Sequence, residues 1–74
     1  MRTNAGYTIT DSIHAGDVEF VLGEQANGRQ FVTWECKDGG NYYWGHYFDD
    51  IAAAKLDLLA RARKALEKEE PAKK

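Results

Sequence analysis

Cysteine is almost absent from this chain: Cys36 stands alone among 74 residues. No internal disulfide can therefore form, and the sequence lacks the four cysteine and histidine ligands of a structural zinc site. A chain of this length buries only about 60% of the surface that its unfolded form exposes. Aromatic side chains, which bury roughly 150–250 Å² each, or association with a second copy are the expected compensation.

Long apolar segments are missing as well. No run approaches the ~20 residues that cross a bilayer. The first ten residues, MRTNAGYTIT, lack the apolar stretch of a signal peptide. We therefore expect a cytoplasmic protein without membrane association, for which a lone reduced cysteine is typical.

Positive charge is scarce in residues 1–50, which carry three basic and eight acidic side chains, a net charge of −5. Residues 51–74 carry seven basic and four acidic side chains, a net charge of +3. Because phosphate backbones bind cationic surfaces, the acidic part of the chain disfavours duplex recognition. A protein partner fits this charge better than a nucleic acid does.

The order of the secondary structure follows from apolar alternation and from helix-forming residues. Short connections favour antiparallel pairing of sequential strands. The sequence predicts an α+β fold, a small antiparallel β-meander of three to four strands with one C-terminal α-helix packed on one face. The predicted strands are 7–13, 18–22, 30–36 and 41–48, the helix runs from 50 to 68, and residues 6–68 form a single domain between disordered segments 1–5 and 69–74.

The helix is predicted to bury one apolar stripe against the sheet. Lys55 falls inside that stripe, where its stem can pack while its amine reaches water beside the sheet. The alternative is a cation that faces a ligand or a second subunit. The predicted stripe consists of Ile51, Ala54, Leu58, Leu59, Ala62, Ala65 and Leu66.

Residues 30–48, QFVTWECKDGGNYYWGHYF, hold seven of the nine aromatic residues and read as two paired strands. We expect Val32, Trp34 and Cys36 to face the helix, because that set is apolar. A three-residue loop with Gly40 left-handed would place Tyr42, Trp44 and Phe48 beside Trp34, whereas a two- or four-residue loop would reverse every side chain. The first arrangement is favoured because it hides both tryptophans. It leaves Phe31, Thr33, Tyr43 and Tyr47 on the open face.

Residues with catalytic potential are few: His14, Cys36 and His46. A cysteine nucleophile needs a histidine in hydrogen-bond contact and an activating environment. Cys36 lies among apolar neighbours at a strand end, which is typical of an inert buried thiol. We therefore expect no catalytic residue, no metal site and no cofactor.

The run from Trp44 to Arg63, WGHYFDDIAAAKLDLLARAR, resembles the last strand and helix of AP2-type and integrase arm-binding domains. The resemblance rests on Gly45, Tyr47 and Phe48, on the alanine pair 52–53, and on Asp57 and Arg61. It implies a small sheet with one helix, whose open face enters the DNA major groove.

The sequence favours a small non-enzymatic interaction module that binds a protein partner. Its expected contact surface is the open aromatic face, formed by Phe31, Thr33, Tyr43 and Tyr47. One alternative is a nucleic-acid-binding module resembling the AP2 type. Another is a regulatory subunit that acts as a homodimer, so the expected state is monomer or homodimer.

Overall fold

A computed structural model describes residues 2–69 and has an α+β fold, with one antiparallel sheet and one C-terminal helix. The strand order in the sheet is the order in the chain, so the sheet is a simple meander. The strands are β1 (Thr3–Asn4), β2 (Tyr7–Ala15), β3 (Val18–Gln25), β4 (Phe31–Lys37) and β5 (Asn41–Phe48), and the helix is α1 (Ile51–Glu69).

The sheet has five strands, whereas the sequence predicts three to four. The additional strand is β1, which pairs with the beginning of β2 through Thr3 and Thr8. A strand of two residues has no alternation to detect, and for this reason the sequence predicts a disordered segment over residues 1–5. Its pairing follows from a turn at Ala5 and Gly6, both with positive φ, the conformation that joins hairpin strands tightly. Most of the predicted tail, residues 70–74, lies outside the described residues.

The connection between β4 and β5 has three residues, as predicted. The left-handed residues are Asp38, with φ of 56°, and Gly39, with φ of 72°. The prediction placed the left-handed residue at Gly40, which is wrong by one position. The amide of Gly40 instead donates to the carbonyl of Lys37 at 3.3 Å and closes the turn.

Each face of the sheet carries its own hydrophobic cluster. The first cluster lies beneath α1, and the second lies on the face away from it, where no other element of the described chain forms a layer. Two separate clusters let a short chain bury apolar surface on both sides of one sheet. The first consists of Ala15, Phe20, Leu22, Phe31, Ala54, Leu58 and Ala62; the second consists of Tyr7, Val21, Val32, Trp34 and Cys36.

The predicted faces of β4 are therefore inverted. Phe31 and Thr33 face α1, while Val32, Trp34 and Cys36 face away from it. The cause is that β4 is buried on both sides, with four consecutive buried residues at its start. Alternation of apolar and polar residues identifies the inner face only when the other face meets water.

The helix begins after Asp50, whose carboxylate accepts a hydrogen bond from the amide of Ala53 at 3.1 Å. A carboxylate in this position satisfies one of the free amides of the first helical turn. The buried stripe is narrower than predicted, because Leu59 is 56% exposed and Leu66 is 44% exposed. The Lys55 side chain is exposed to solvent. Among the described residues, no helix is long and apolar enough to cross a membrane.

Candidate partner-binding surface

A β-bulge in β5 determines where its aromatic side chains point. Thr33 pairs with His46 and Glu35 pairs with Tyr43, so two residues of β5, Trp44 and Gly45, lie opposite the single residue between them. One extra residue shifts the alternation of every side chain beyond it. The bulge therefore divides β5 into two halves with opposite alternation.

The shift explains why Tyr42 and Phe48 separate. Tyr42 packs against the second cluster beside Trp34, at a ring-centroid distance of 5.5 Å. Phe48 packs against the first cluster, beneath α1. Neither arrangement of β5 considered from the sequence contains this separation, because both assume unbroken alternation.

Trp44 is the most exposed large hydrophobic residue of the described chain. Its relative exposure is 74%, and its φ of 54° lies in the left-handed region. That conformation costs an L-residue roughly 1–2 kcal/mol, and a bulky side chain there is unusual. The fold thus holds the largest side chain type in water and in a strained backbone conformation, where it contributes little to either core.

The face away from the helix is already filled by its own aromatic side chains. Tyr7 and Trp34 pack edge to face with centroids 5.7 Å apart, and both are more than nine-tenths buried. The hydroxyl of Tyr7 donates to Gln30 Oε1 at 3.0 Å, which satisfies its polar end. Tyr47 lies at the margin of this cluster, with its ring centroid 6.3 Å from that of Tyr7. Its side chain remains 55% exposed.

Arg2 ties the margin of the second cluster together. Its Nη1 donates to Glu19 Oε2 at 2.8 Å and its Nη2 donates to the hydroxyl of Tyr42 at 3.2 Å. The hydrogen bond to Glu19 raises the pKa of Arg2, and the same bond lowers the pKa of Glu19. Because Arg2 precedes β1 and Tyr42 is on β5, this contact joins the two ends of the curled sheet.

Cys36 lies beneath Arg2, with Sγ 3.6 Å from Nη2, and is 2% exposed. Burial raises the pKa of its thiol. A thiolate is the reactive form, so this environment works against nucleophilic chemistry. Within residues 2–69, no group of three or more metal-ligating side chains is brought together.

The four residues predicted to form the binding face are not together. Phe31 is 6% exposed and Thr33 is 0% exposed, and both lie beneath α1. Tyr43 is 40% exposed and pairs with Glu35, on the helix side of the sheet. Tyr47 lies on the opposite side, so only the two tyrosines remain accessible. The favoured arrangement from the sequence places Trp44 in the interior, which is wrong. The adjacent glycine, which permits a bulge, is the one local signal of its exposure.

Thr33 is instead the centre of a polar cluster between β4, β5 and α1. Its hydroxyl donates to Asp57 Oδ2 at 2.6 Å and accepts from Arg61 Nη1 at 3.0 Å. His46 Nδ1 lies 2.9 Å from the same carboxylate oxygen, and since a carboxylate only accepts, Nδ1 carries the proton. Burial lowers the pKa of Arg61. The cluster satisfies a buried hydroxyl and anchors α1 to the sheet.

Comparison of the chain with protein-family models, with curated proteins and with solved structures finds no match.

Proposed function

We propose that this chain is a small non-enzymatic module that binds a protein partner through the β5 surface, defined here as Tyr43, Trp44 and Tyr47. Trp44 is the central anchor and the two tyrosines flank it. The observation that carries the proposal is the 74% exposure of a tryptophan held at positive φ. Strained backbone conformations cluster at functional sites, where another requirement outweighs their cost.

Tryptophan suits the role of anchor because few interface residues carry most of the binding energy, and tryptophan, tyrosine and arginine dominate among them. Its rigid ring buries a large area while few torsions are frozen. Tyr43 and Tyr47 add ring surfaces with polar ends, and they point to opposite sides of the sheet edge. The surface therefore fits a partner that encloses the edge of β5, with a pocket for the indole.

The position of β5 supports the same interpretation. It is the last strand in the sheet, and one edge of it has no neighbouring strand in the described chain. A bulge on such an edge interrupts the row of hydrogen-bonding groups that a second strand would need. We therefore propose docking through side chains rather than continuous strand addition.

The charge around β5 favours a protein over a nucleic acid. Asp38 precedes the strand in the turn, and Asp49 and Asp50 follow it directly. All three are exposed, and they would repel a phosphate backbone. A partner with neutral or basic groups around an apolar pocket is the complementary surface.

A quantitative pull-down from the lysate of the source organism tests the proposal with three proteins. These are the wild type, Trp44→Ser, and the control Leu56→Ser, which changes a side chain of similar exposure, 67%, on the outer face of α1. The wild type and Leu56→Ser should retain the same protein. The affinity of Trp44→Ser for that protein should be at least tenfold lower, a loss of about 1.4 kcal/mol of binding free energy.

Two other results would contradict the proposal. If all three proteins retain the partner equally, Trp44 does not contribute to the contact. The wild type could also retain a nucleic acid, and no protein, that Trp44→Ser fails to retain. If the affinity for that nucleic acid falls steeply as salt is raised, the result supports the AP2-type alternative instead.

A further inference from the structure

A cleft of about 630 Å³ lies between the C-terminal half of α1 and the sheet. Two of its lining residues adjoin the β5 surface, because His46 precedes Tyr47 and Glu35 pairs with Tyr43. Its volume falls within the roughly 300–1,000 Å³ typical of small-molecule sites. Its lining is mixed: Val18 and Phe20 of β3 and Ala65 of α1 are among the apolar residues, and the other lining residues include charged side chains from the sheet and the helix. Apolar walls with a few convergent polar groups are the usual construction of such sites.

Three cations from one stripe of α1 line this cleft: Arg61, Lys64 and Lys68. Their spacing of three and four residues places them on the same side of the helix. Like charges at these spacings destabilise a helix. The negative end of the helix dipole can offset the cost for Lys68, but its effect falls off within the last turn and Arg61 lies near the middle of α1.

The two carboxylates in the cleft are already engaged by other groups. Asp57 accepts from Thr33 at 2.6 Å and from His46 at 2.9 Å. Glu35 lies 3.6 Å from the amine of Lys37. Among the side chains that the structure describes, no carboxylate lies within 4.0 Å of Arg61, Lys64 or Lys68. Three cations against two carboxylates give the lining of the cleft a formal charge of +1 with His46 neutral, although both carboxylates attract Arg61 electrostatically.

Arg61 is held in a fixed orientation on the wall of the cleft. Its Nη1 donates to the carbonyl and to the hydroxyl of Thr33, at 3.1 and 3.0 Å. Its guanidinium carbon lies 5.8 Å from the ring centroid of Phe20. A cation fixed beside an aromatic floor is arranged to receive a ligand with an anionic group next to an apolar one, at little cost in side-chain entropy.

His46 adds a polar group on the same side. Because its Nδ1 faces Asp57, its Nε2 points away from that carboxylate, and the side chain is 49% exposed. A carboxylate partner of this kind fixes the orientation of an imidazole. With the proton on Nδ1, Nε2 is a hydrogen-bond acceptor, so His46 can receive a donor group of a ligand but not its anionic group.

We propose that this cleft binds a small organic acid, whose anionic group contacts Arg61, Lys64 and Lys68 and whose apolar body lies on Phe20, Val18 and Ala65. None of the three residues of the β5 surface lines the cleft, so ligand binding can be measured without the protein partner. In this proposal, tight binding needs both the positive charge and the apolar surface of the cleft. An inorganic anion or a neutral apolar molecule, which uses only one of the two, should therefore bind more weakly.

Fluorescence titration with anilinonaphthalene sulfonate, an apolar anion, tests the proposal. Two double variants are compared, and each removes two positive charges from exposed positions of α1. Lys64→Gln/Lys68→Gln changes the cleft, whereas Lys55→Gln/Arg63→Gln changes the other side of the helix. Wild type and the second variant should bind the probe alike, and the first should lose at least tenfold in affinity. Circular dichroism checks that both variants keep the fold.

Two further probes separate the contributions of charge and apolar surface. Phenylnaphthylamine, which has the same rings without the sulfonate, should bind at least tenfold more weakly than the sulfonate. Inorganic phosphate at the same concentration should not displace the sulfonate. Amide shifts in nitrogen–proton spectra should change at Val18, Phe20 and Ala65.

Several outcomes would overturn the proposal. These are an equal loss of affinity in both double variants, equal binding of the neutral probe, and binding that does not saturate. Amide shifts confined to the exposed leucines Leu56 and Leu59 would place the probe on the outer face of α1 and would also refute the cleft site.

Discussion

Gly45 lies against the indole of Trp34 across the β4–β5 pair. A Cβ atom on Gly45 would come within 3.0 Å of Nε1 of Trp34 and within 3.0 Å of the ring of Tyr47. A side chain at this position would require Trp34 or Tyr47 to shift by a few tenths of an ångström, whereas glycine lets the strand pass close over the second cluster without that shift. The neighbouring bulge residue, Trp44, points outward at 74% exposure. Burial of one tryptophan and exposure of the other thus follow from the same two-residue irregularity.

Gly45→Ala should destabilise the fold by about 1–3 kcal/mol, the usual cost of inserting atoms into a packed region. Gly40→Ala is the matched control, because a Cβ at Gly40 meets nothing within 4 Å. That variant should stay within about 0.5 kcal/mol of the wild type. Urea unfolding of both variants measures the difference. Equal free energies of unfolding would show that Gly45 does not approach Trp34 this closely.

Truncation of the two tryptophans should change the free energy of unfolding by very different amounts. Trp34→Ala removes a side chain that is 5% exposed and should cost about 3–5 kcal/mol, a large part of the total stability of roughly 5–15 kcal/mol. Trp44→Ala removes an exposed one and should change the free energy of unfolding by less than about 0.5 kcal/mol. Denaturant titrations followed by circular dichroism avoid dependence on tryptophan fluorescence. A larger loss from Trp44→Ala than from Trp34→Ala would invert this assignment.

The left-handed conformation of Trp44 gives a separate prediction. Alanine at a positive φ is strained, whereas glycine adopts that conformation freely. Trp44→Gly should therefore be more stable than Trp44→Ala, by about 0.5–1 kcal/mol after the entropy cost of glycine. Thermal and urea unfolding of the pair test this directly. If Trp44→Gly is the less stable variant, the backbone at the bulge is not left-handed.

Local patterns in the sequence were sufficient for the class of fold and for most of the secondary structure. The strand β5 has the predicted bounds of 41–48, and α1 is displaced by one residue at each end. These elements are marked by signals within a few residues, such as the N-cap at Asp50 and the short turn at Gly39 and Gly40. β1 carries no such signal, because only pairing with β2 makes its two residues a strand.

The faces of the sheet could not be predicted in the same way. Both alternating sets of β4 become buried, so Thr33, polar by type, lies beneath the helix with 0% exposure. It is tolerated there because Asp57 and Arg61, 24 and 28 residues further along the chain, satisfy its hydroxyl. The bulge at Trp44 also depends on close packing against Trp34. The burial of Thr33 and the bulge at Trp44 both depend on contacts between residues far apart in the chain. The local alternation of apolar and polar residues carries no information about such contacts.

Acid should weaken the tie between Arg2 and Glu19. The pKa of Glu19 is lowered in the folded protein by its hydrogen bond to Arg2, so the folded state binds fewer protons than the unfolded state near the ordinary value of about 4.3. The contribution is therefore complete above that value and is lost as pH falls through the lower, folded-state pKa.

The difference in stability between the wild type and Glu19→Gln isolates this contribution from other carboxylates. Because the Arg2 side chain is 41% exposed, the difference at neutral pH should be below about 1 kcal/mol. It should shrink further at acid pH. Urea unfolding of both proteins at neutral and at strongly acid pH makes the comparison. A difference that grows on acidification would contradict the ion pair.

The most direct test of the central claim is site-specific photocrosslinking in living cells of the source organism. A photoreactive phenylalanine analogue replaces Trp44 in one protein and Leu56 in another, since both positions are largely exposed and neither lies in a core. If the β5 surface binds a protein, irradiation should yield a discrete adduct of defined mass from position 44 and none from position 56. An adduct from position 56 alone, or none from position 44, would contradict the assignment of Trp44 as the anchor of the partner-binding surface.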